Sequence, residues 1–323
     1  MFRDLDFLFE HPDFDENDYV PVLKQAGVYE GKSYVLPISY TTTAFLGLAE
    51  PLLSSGFDEE NASVSTNAYM EEMLALSDAQ RPYLAMASRY YLLKAGSLSP
   101  VSVENAEIQL NQPQWQELLE LNRYITETCG FSEEDAIKSL EEYQVHIENG
   151  AAVLPGLSSQ PGYFLRVLED SGHEARLLPI PNENGGITMM PYITAAVSTG
   201  CKNTDAAASF LLFLLGETVQ GSGELEQIGS NASLFITGNS WPVRKGCGVK
   251  MLEHIELYPV EYGTVSDVLK TDVENMENRI DTCRLASGYD GELLGLIESY
   301  LDGEQTWEEC YANIEKEWSY LDE

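Results

Sequence analysis

One pattern constrains this chain more than any other: amphipathic helical stretches alternate with short β-prone runs over 323 residues. The runs are too short to bury a core alone, so helices must cover the sheets they form, which predicts an α/β fold. The clearest helix is Pro113–Cys129, where Trp115, Leu118, Leu119, Asn122 and Ile125 fall near helical spacing. The last one, Trp307–Leu321, opens on a capping box of Thr306 and Glu309 and carries one stripe of Trp307, Cys310, Ile314, Trp318 and Leu321. A helix capped by Ser132 runs to about Glu148 and stops at Asn149-Gly150. Shorter helices are expected around Tyr19–Gln25, within residues 66–95, and at Gly162–Asp170, Glu217–Ile228, Thr264–Arg279 and Gly291–Leu301. Asp205–Leu215 is so apolar that it reads as a helix buried nearly all round. The β-prone runs are Ser33–Tyr40, broken by Pro37, then Ala151–Leu154 and Ala175–Ile180, and Ile187–Ser198, interrupted at Pro191. Gly229–Gly248 is loop-rich.

Charge narrows the function classes. Lys plus Arg number 18 against 53 Asp plus Glu, a net charge of −35. Phosphate backbones and anionic membrane surfaces need a basic patch, so nucleic acid is not expected as a partner. The balance fits a highly soluble protein at or outside the cell surface. No apolar run approaches the roughly 18 residues of a membrane span. Residues 1–16 carry acids throughout and have neither a basic start nor an apolar stretch, so they do not read as a signal peptide, and any export signal is expected upstream. The five cysteines are scattered and form no CxxC pair, which predicts packed free thiols, not a disulfide framework or a zinc site.

Motifs for chemistry are missing. Residues 13–18 start like a calcium loop, but the sixth and twelfth positions are Asp18 and Lys24, where an EF-hand needs Gly and Glu. His11, His146, His173 and His254 are dispersed, and neither a phosphate loop nor a nucleophile elbow occurs. A glycoside hydrolase needs two facing carboxylates. With 53 acids the sequence neither excludes nor supports such a pair. The reading is a protein without catalytic residues, cofactor or metal.

Gly31–Pro37, Glu148–Leu154, Pro179–Pro181, Lys202–Leu214 and Pro242–Arg244 are each weak motifs, but taken in order they resemble bacterial extracellular solute-binding proteins of the sugar-binding type, the substrate-binding components of ABC transporters. Gly31-Lys32-Ser33-Tyr34-Val35-Leu36-Pro37 is similar to their Gly-Lys-x-Tyr-x-x-Pro at the first crossing between lobes. Glu148-Asn149-Gly150-Ala151-Ala152-Val153-Leu154 resembles their Gly-x-Ala-Ala-Met strand opening and departs at the methionine. Pro179-Ile180-Pro181, the run from Lys202-Asn203 through Ala206-Ala207 to Phe213-Leu214, Pro242-Val243-Arg244, and the closing helix with its Glu308-Glu309 follow in the family's order.

The resemblance implies a periplasmic-binding-protein-like type II fold, with two α/β lobes joined by crossing hinge strands and a ligand in the cleft. It implies binding and delivery to a membrane permease, with no chemistry, outside the cell or lipid-anchored at its surface. Only thirty residues precede Gly31, fewer than the family's first lobe, so an incomplete first lobe is expected. The expected division is 1–37 for the remnant of the first lobe and first crossing, and 38–190 for the C-terminal lobe. Residues 191–240 would return into the first lobe, and 241–323 would hold the hinge return and closing helices. A homodimer through the incomplete lobe, and a remodelled lobe serving only as an interaction module, are the alternatives this departure raises.

Sugar sites set flat aromatics against the apolar ring face and polar groups against hydroxyls. The candidate ligand residues are therefore Tyr40 after the first crossing, Ser158, Ser159 and Tyr163 after the Ala151 strand, Tyr192 in the return strand, and Trp241 in the Asn-Ser-Trp-Pro loop. Each has a plain structural alternative: hinge or core packing for the aromatics, and capping of the next helix for the serines.

Overall fold

The computed structural model describes residues 1–76, 92–102, 107–129, 153–154, 161–221, 240–254, 265–285 and 290–321. The helix expected from Ser132 to Glu148, and the candidates Ser158 and Ser159, lie outside them. Among the described residues the strands are β1 (Phe2–Arg3), β2 (Val28–Tyr29), β3 (Lys32–Ser33), β4 (Leu36–Thr41), β5 (Ala44–Leu48), β6 (Val153–Leu154), β7 (Ala175–Pro179), β8 (Ile187–Ala195), β9 (Val197–Ser198), β10 (Trp241–Pro242) and β11 (Ile280–Cys283). The longer helices are α1 (Thr66–Leu74), α2 (Pro113–Cys129), α3 (Pro161–Asp170), α4 (Thr204–Leu215), α5 (Cys247–His254), α6 (Asp267–Arg279) and α7 (Trp307–Leu321).

Two sheets organise the molecule. One has the order β10-β4-β8-β11, the other β6-β5-β7, and the ribbons β1-β9 and β2-β3 flank them. The chain passes between the two sheets twice, from β4 to β5 through Thr42-Thr43 and from β7 to β8 through Ile180–Gly186. The passages touch, since Ile180 N–H donates to Thr43 O at 2.9 Å. At the second, Asn182 Oδ1 accepts from the N–H groups of Asn184 (2.9 Å) and Gly186 (3.1 Å), while its amide donates to Asp281 Oδ1 at 2.9 Å.

Side-chain alternation along β5 and β7 divides the core. Phe45, Leu178 and Ile180 face Tyr69, Met70, Trp115 and Leu118. Leu46, Leu48, Ala175 and Leu177 face the opposite way, towards the cluster that includes Leu165, Leu168, Leu269 and Val273. A short sheet buried on both faces needs helices on both, as the alternating sequence predicts. Helix α2 buries Trp115, Leu118, Leu119, Asn122 and Ile125, the stripe read from spacing. At α7 the box forms: Glu309 N–H donates to Thr306 Oγ1 at 3.3 Å, and Thr306 N–H donates to Glu309 Oε2 at 3.1 Å.

Four local expectations change. Pro37 and Pro191 do not break their strands; β4 and β8 run through them, and the β4–β8 register slips between Pro37 and Ser39 and between Ser39 and Tyr40. Irregular pairing accommodates residues that lack an N–H. The expected helix at Tyr19–Gln25 is replaced by 3-10 turns at Glu16–Asp18 and Leu23–Gln25, because Val20 N–H is committed to Val243 O at 2.9 Å. Helix α5 starts inside the run read as loop. Helix α4 is one-sided: Ala208, Leu211, Leu214 and Leu215 are buried, while Phe210 and Phe213 are 59% and 47% exposed and stack with centroids 6.5 Å apart. Apolar composition gave no information about which face a neighbour covers. All five cysteines are free thiols.

Candidate functional site

The sheet crossing at β4 and β10 is held by a residue that sequence reasoning missed. Gln220 lies just after α4 and is 2% exposed. Its amide donates to Ile38 O at 3.0 Å and Leu214 O at 2.9 Å. Its Oε1 accepts from the N–H groups of Val243 at 2.8 Å and Arg244 at 3.3 Å. One buried side chain therefore joins the first crossing strand, the end of α4 and the segment leaving β10, satisfying backbone groups that no ladder reaches. A glutamine following an apolar helix carries no sequence signal for this.

The segment after β10 lines a cavity of about 320 Å³ together with Asp18 and Glu217, and Lys250 from α5. Two further cavities are about 80 Å³, at Arg176, Asp272 and Arg279, and about 100 Å³, at Thr66, Gln114 and Glu183. Small-molecule sites span roughly 300–1,000 Å³, so of these three only the first has room for a sugar ring.

Its lining is polar and mostly paired. Arg244 donates to Asp18 Oδ2 at 2.7 Å, and its guanidinium lies 5.5 Å from the Tyr19 ring centroid. Lys250 pairs with Glu217, and this contact holds the Glu217 carboxyl below its ordinary range. A general acid needs the opposite shift, so the Glu217 environment suits hydrogen bonding, not proton donation. Gly246 adopts a left-handed φ of 72°, and its N–H donates to Glu277 Oε2 at 2.9 Å. Burial pushes the Glu277 carboxyl up to about 7 and the Cys247 thiol up to about 11. The cavity can thus offer hydroxyl groups both donors and acceptors, but none of the residues lining it is aromatic.

The candidates from sequence are not gathered around this cavity. Tyr40 and Trp241 are brought together as register partners across β4 and β10. Both face the interior, at 0% and 1% exposure, and neither offers a ring face to solvent. The Tyr40 hydroxyl has no hydrogen-bond partner. Strand direction at these positions turns both rings into the core, where they pack at the crossing of β4 and β10. Tyr192 is 56% exposed on β8. Tyr163 lies in α3. Among the described residues there is no cluster of metal-ligating side chains, and no helix is long and apolar enough to cross a membrane.

A second polar constellation ties α6 to the β5–β7 sheet. Arg176 Nε donates to Asp272 Oδ2 at 2.8 Å and its other nitrogens to Glu59 at 2.6 and 2.7 Å, while Leu177 N–H donates to Asp272 Oδ2 at 3.0 Å. Burial opposes the Arg176 charge, but the hydrogen bonds to Glu59 and Asp272 overcome it and hold the guanidinium protonated. Asp272 and Glu277 did leave a trace in the sequence. They share one helical face with Leu269, Val273, Met276 and Ile280, where acids are out of place.

No protein-family model matches the sequence, and no curated protein matches it. Solved structures do. The sugar-binding protein MalE of Xanthomonas citri superposes with a TM-score of 0.66 at 11% identity, over 100% of this chain and 81% of that one. AcbH, a bacterial solute receptor with a preference for β-D-galactopyranose, gives 0.58 at 12% identity over 98% and 79%. The ABC substrate-binding protein Lmo0181 of Listeria monocytogenes, solved with cycloalternan, gives 0.55 at 16% identity over 99% and 80%. This chain has the type II periplasmic-binding-protein fold of the sugar-binding ABC substrate-binding proteins.

Proposed function

We propose that this protein captures a carbohydrate and delivers it to the permease of an ABC transporter, without chemistry, at or outside the cell surface. The observation that carries the reading is whole-chain similarity to proteins that bind sugars and oligosaccharides. The cavity beside β10 supports it through its size and its paired donors and acceptors. On this reading Arg244, Asp18 and Lys250 hold sugar hydroxyls. The exposed Tyr192 is kept as an aromatic platform, and Tyr163, Ser158 and Ser159 as further contacts. Tyr40 and Trp241 serve the ligand indirectly, as hinge packing. The lobe boundaries expected from sequence, near residues 38, 191 and 241, belong to the same proposal.

The test is a thermal-shift screen with galactose, maltose, maltotriose and cyclic tetrasaccharides, checked by calorimetry. A ligand that binds only the folded state raises the melting temperature by mass action. A rise with one sugar class supports the reading; no rise with any sugar, from a folded sample, refutes it for these carbohydrates.

A second reading has its own observation. The exposed Phe210-Phe213 face of α4 fits an interaction module, including a homodimer, better than a freely diffusing receptor. Gel filtration separates the two: a concentration-dependent dimer abolished by Phe210→Ser with Phe213→Ser, and no sugar response, would favour it.

A further inference from the structure

Glu277 is a carboxyl buried against the wall of the cavity. It is 3% exposed. Oε2 accepts the Gly246 N–H, while Oε1 has no well-formed hydrogen bond. Packing around it is close. A Cβ on Gly248 would stand 2.9 Å from Oε1, 2.9 Å from Val273 Cγ1 and 3.5 Å from Trp241 Cε3. The carboxyl is thus enclosed by the hinge-strand tryptophan, an apolar face of α6 and the turn that begins α5. That turn is itself the wall: Arg244, Lys245, Gly246 and Cys247 line the cavity.

We propose that Glu277 is a positioning residue of the solute cleft: its carboxyl, buried and bonded to Gly246, pins the 244–247 turn in the arrangement that forms the wall, and its ionisation loosens that wall and weakens solute capture. The capture half of this inference rests on the reading of the cavity as the sugar site; the pinning of the turn does not.

The charges around Glu277 leave it poised. Burial raises its carboxyl to about 7; the N–H groups of Gly246 and Gly248 oppose that, Glu274 on its own helix adds to it, and Lys245 on the turn opposes it. The other titratable groups facing it are Tyr40 on β4 and Cys247 at the start of α5. Burial first, and Glu277 among the lesser causes, holds both above their ordinary values, so both stay neutral near pH 7. One well-formed hydrogen bond, from Gly246 N–H, does not replace the hydration that this buried carboxyl needs once ionised. Opening that wets the carboxyl should therefore be about fivefold easier when it is ionised.

Hydrogen exchange of the full chain, read at amides 244–248 at about pH 6 and pH 8.5 and corrected for intrinsic rates, tests this. Wild type should show about fivefold higher protection at the acidic end. Glu277→Gln, which keeps an acceptor that does not titrate, should be flat, and Glu277→Asp, whose acceptor falls short, should lose protection at both pH values. A flat wild-type profile, or an unchanged pH response in Glu277→Gln, overturns the proposal. Galactose and maltotriose thermal shifts at the same two pH values are the second arm. A sugar that stabilises wild type at pH 6 should do so less at pH 8.5, and equally at both in Glu277→Gln. An exchange step with no sugar response refutes the sugar site and the capture half while the pinning of the turn stands; a flat exchange profile refutes the pinning whatever the sugars do.

Discussion

Replacing Gln220 by leucine is the sharpest test of how the crossing is held. The two side chains are close in volume, so the packing change is small. What changes is hydrogen bonding: the carbonyls of Ile38 and Leu214 lose their donor, and the N–H groups of Val243 and Arg244 lose their acceptor. Ile38 is 2% exposed and Val243 0%, so water does not reach them without movement. A buried backbone group left unpaired costs about 1–3 kcal/mol. Three well-formed bonds with partial relaxation give a loss of about 3–5 kcal/mol, against a typical total of about 5–15 kcal/mol. Urea unfolding followed by far-UV circular dichroism measures it. Gln220→Glu provides the control on mechanism, because it keeps an acceptor for Val243 but removes both donors and buries a charge. It should be as damaging at neutral pH and partly recovered in acid, where the protonated carboxyl regains an O–H donor. A leucine variant within about 1 kcal/mol of wild type would refute the reasoning, since relaxation or water would then be doing what the staple is credited with.

The other expectations are more local. Glu277 titrates near 7 when folded and near 4.5 when free, so the folded state holds the proton more tightly and stability falls as pH rises between those values. Glu277→Gln should therefore gain about 3 kcal/mol on wild type between about pH 4.5 and pH 8, and parallel urea profiles across that window would exclude it. Gly248→Ala should cost about 1–3 kcal/mol, because its Cβ would lie 2.9 Å from both Glu277 Oε1 and Val273 Cγ1, and Val273→Ala should recover part of that in a double-mutant cycle. Asp272→Ala should cost about 3–5 kcal/mol by leaving Arg176 with only Glu59, and a melting temperature unchanged from wild type would contradict it. Tyr40→Phe removes a buried hydroxyl with no partner, so it should be neutral or stabilising by about 1 kcal/mol; a large loss would reveal a partner for that oxygen.

What could be read from the sequence was what is decided locally. Helix α2 and its buried stripe follow from spacing alone, and the α7 cap follows from two residues three apart. The alternation of helices and strands pointed to an α/β class, and the resemblance of the ordered motifs pointed to the type II fold. Orientation was not legible. Tyr40 lies on the crossing strand and Trp241, read as a loop residue, lies in β10, and which way each ring points is fixed by a pairing between residues two hundred apart. Phe210 and Phe213 read as core because an apolar residue does not announce whether anything packs against it. Gln220 became important only through three segments that meet in space. Asp272 and Glu277 were the partial exception, since an acid in register with an apolar stripe is visible in principle.

Polarity in this fold is concentrated where the chain changes sheet. Ser39, Tyr40, Thr42 and Thr43 all carry buried hydroxyls without partners, and they fall on β4 and the first passage to β5. An interior selected for rigidity alone would replace such groups with apolar ones, because each costs free energy when dry. Their cost falls in any state that admits water, so they destabilise the dry arrangement relative to a hydrated one. Gln220 acts in the opposite sense, fixing the same strand to α4 and to the segment leaving β10. Orphan hydroxyls on one side and a four-bond staple on the other make a crossing that is held in register yet is not costly to open. Under the proposed function, closing on a solute and then releasing it would use that combination.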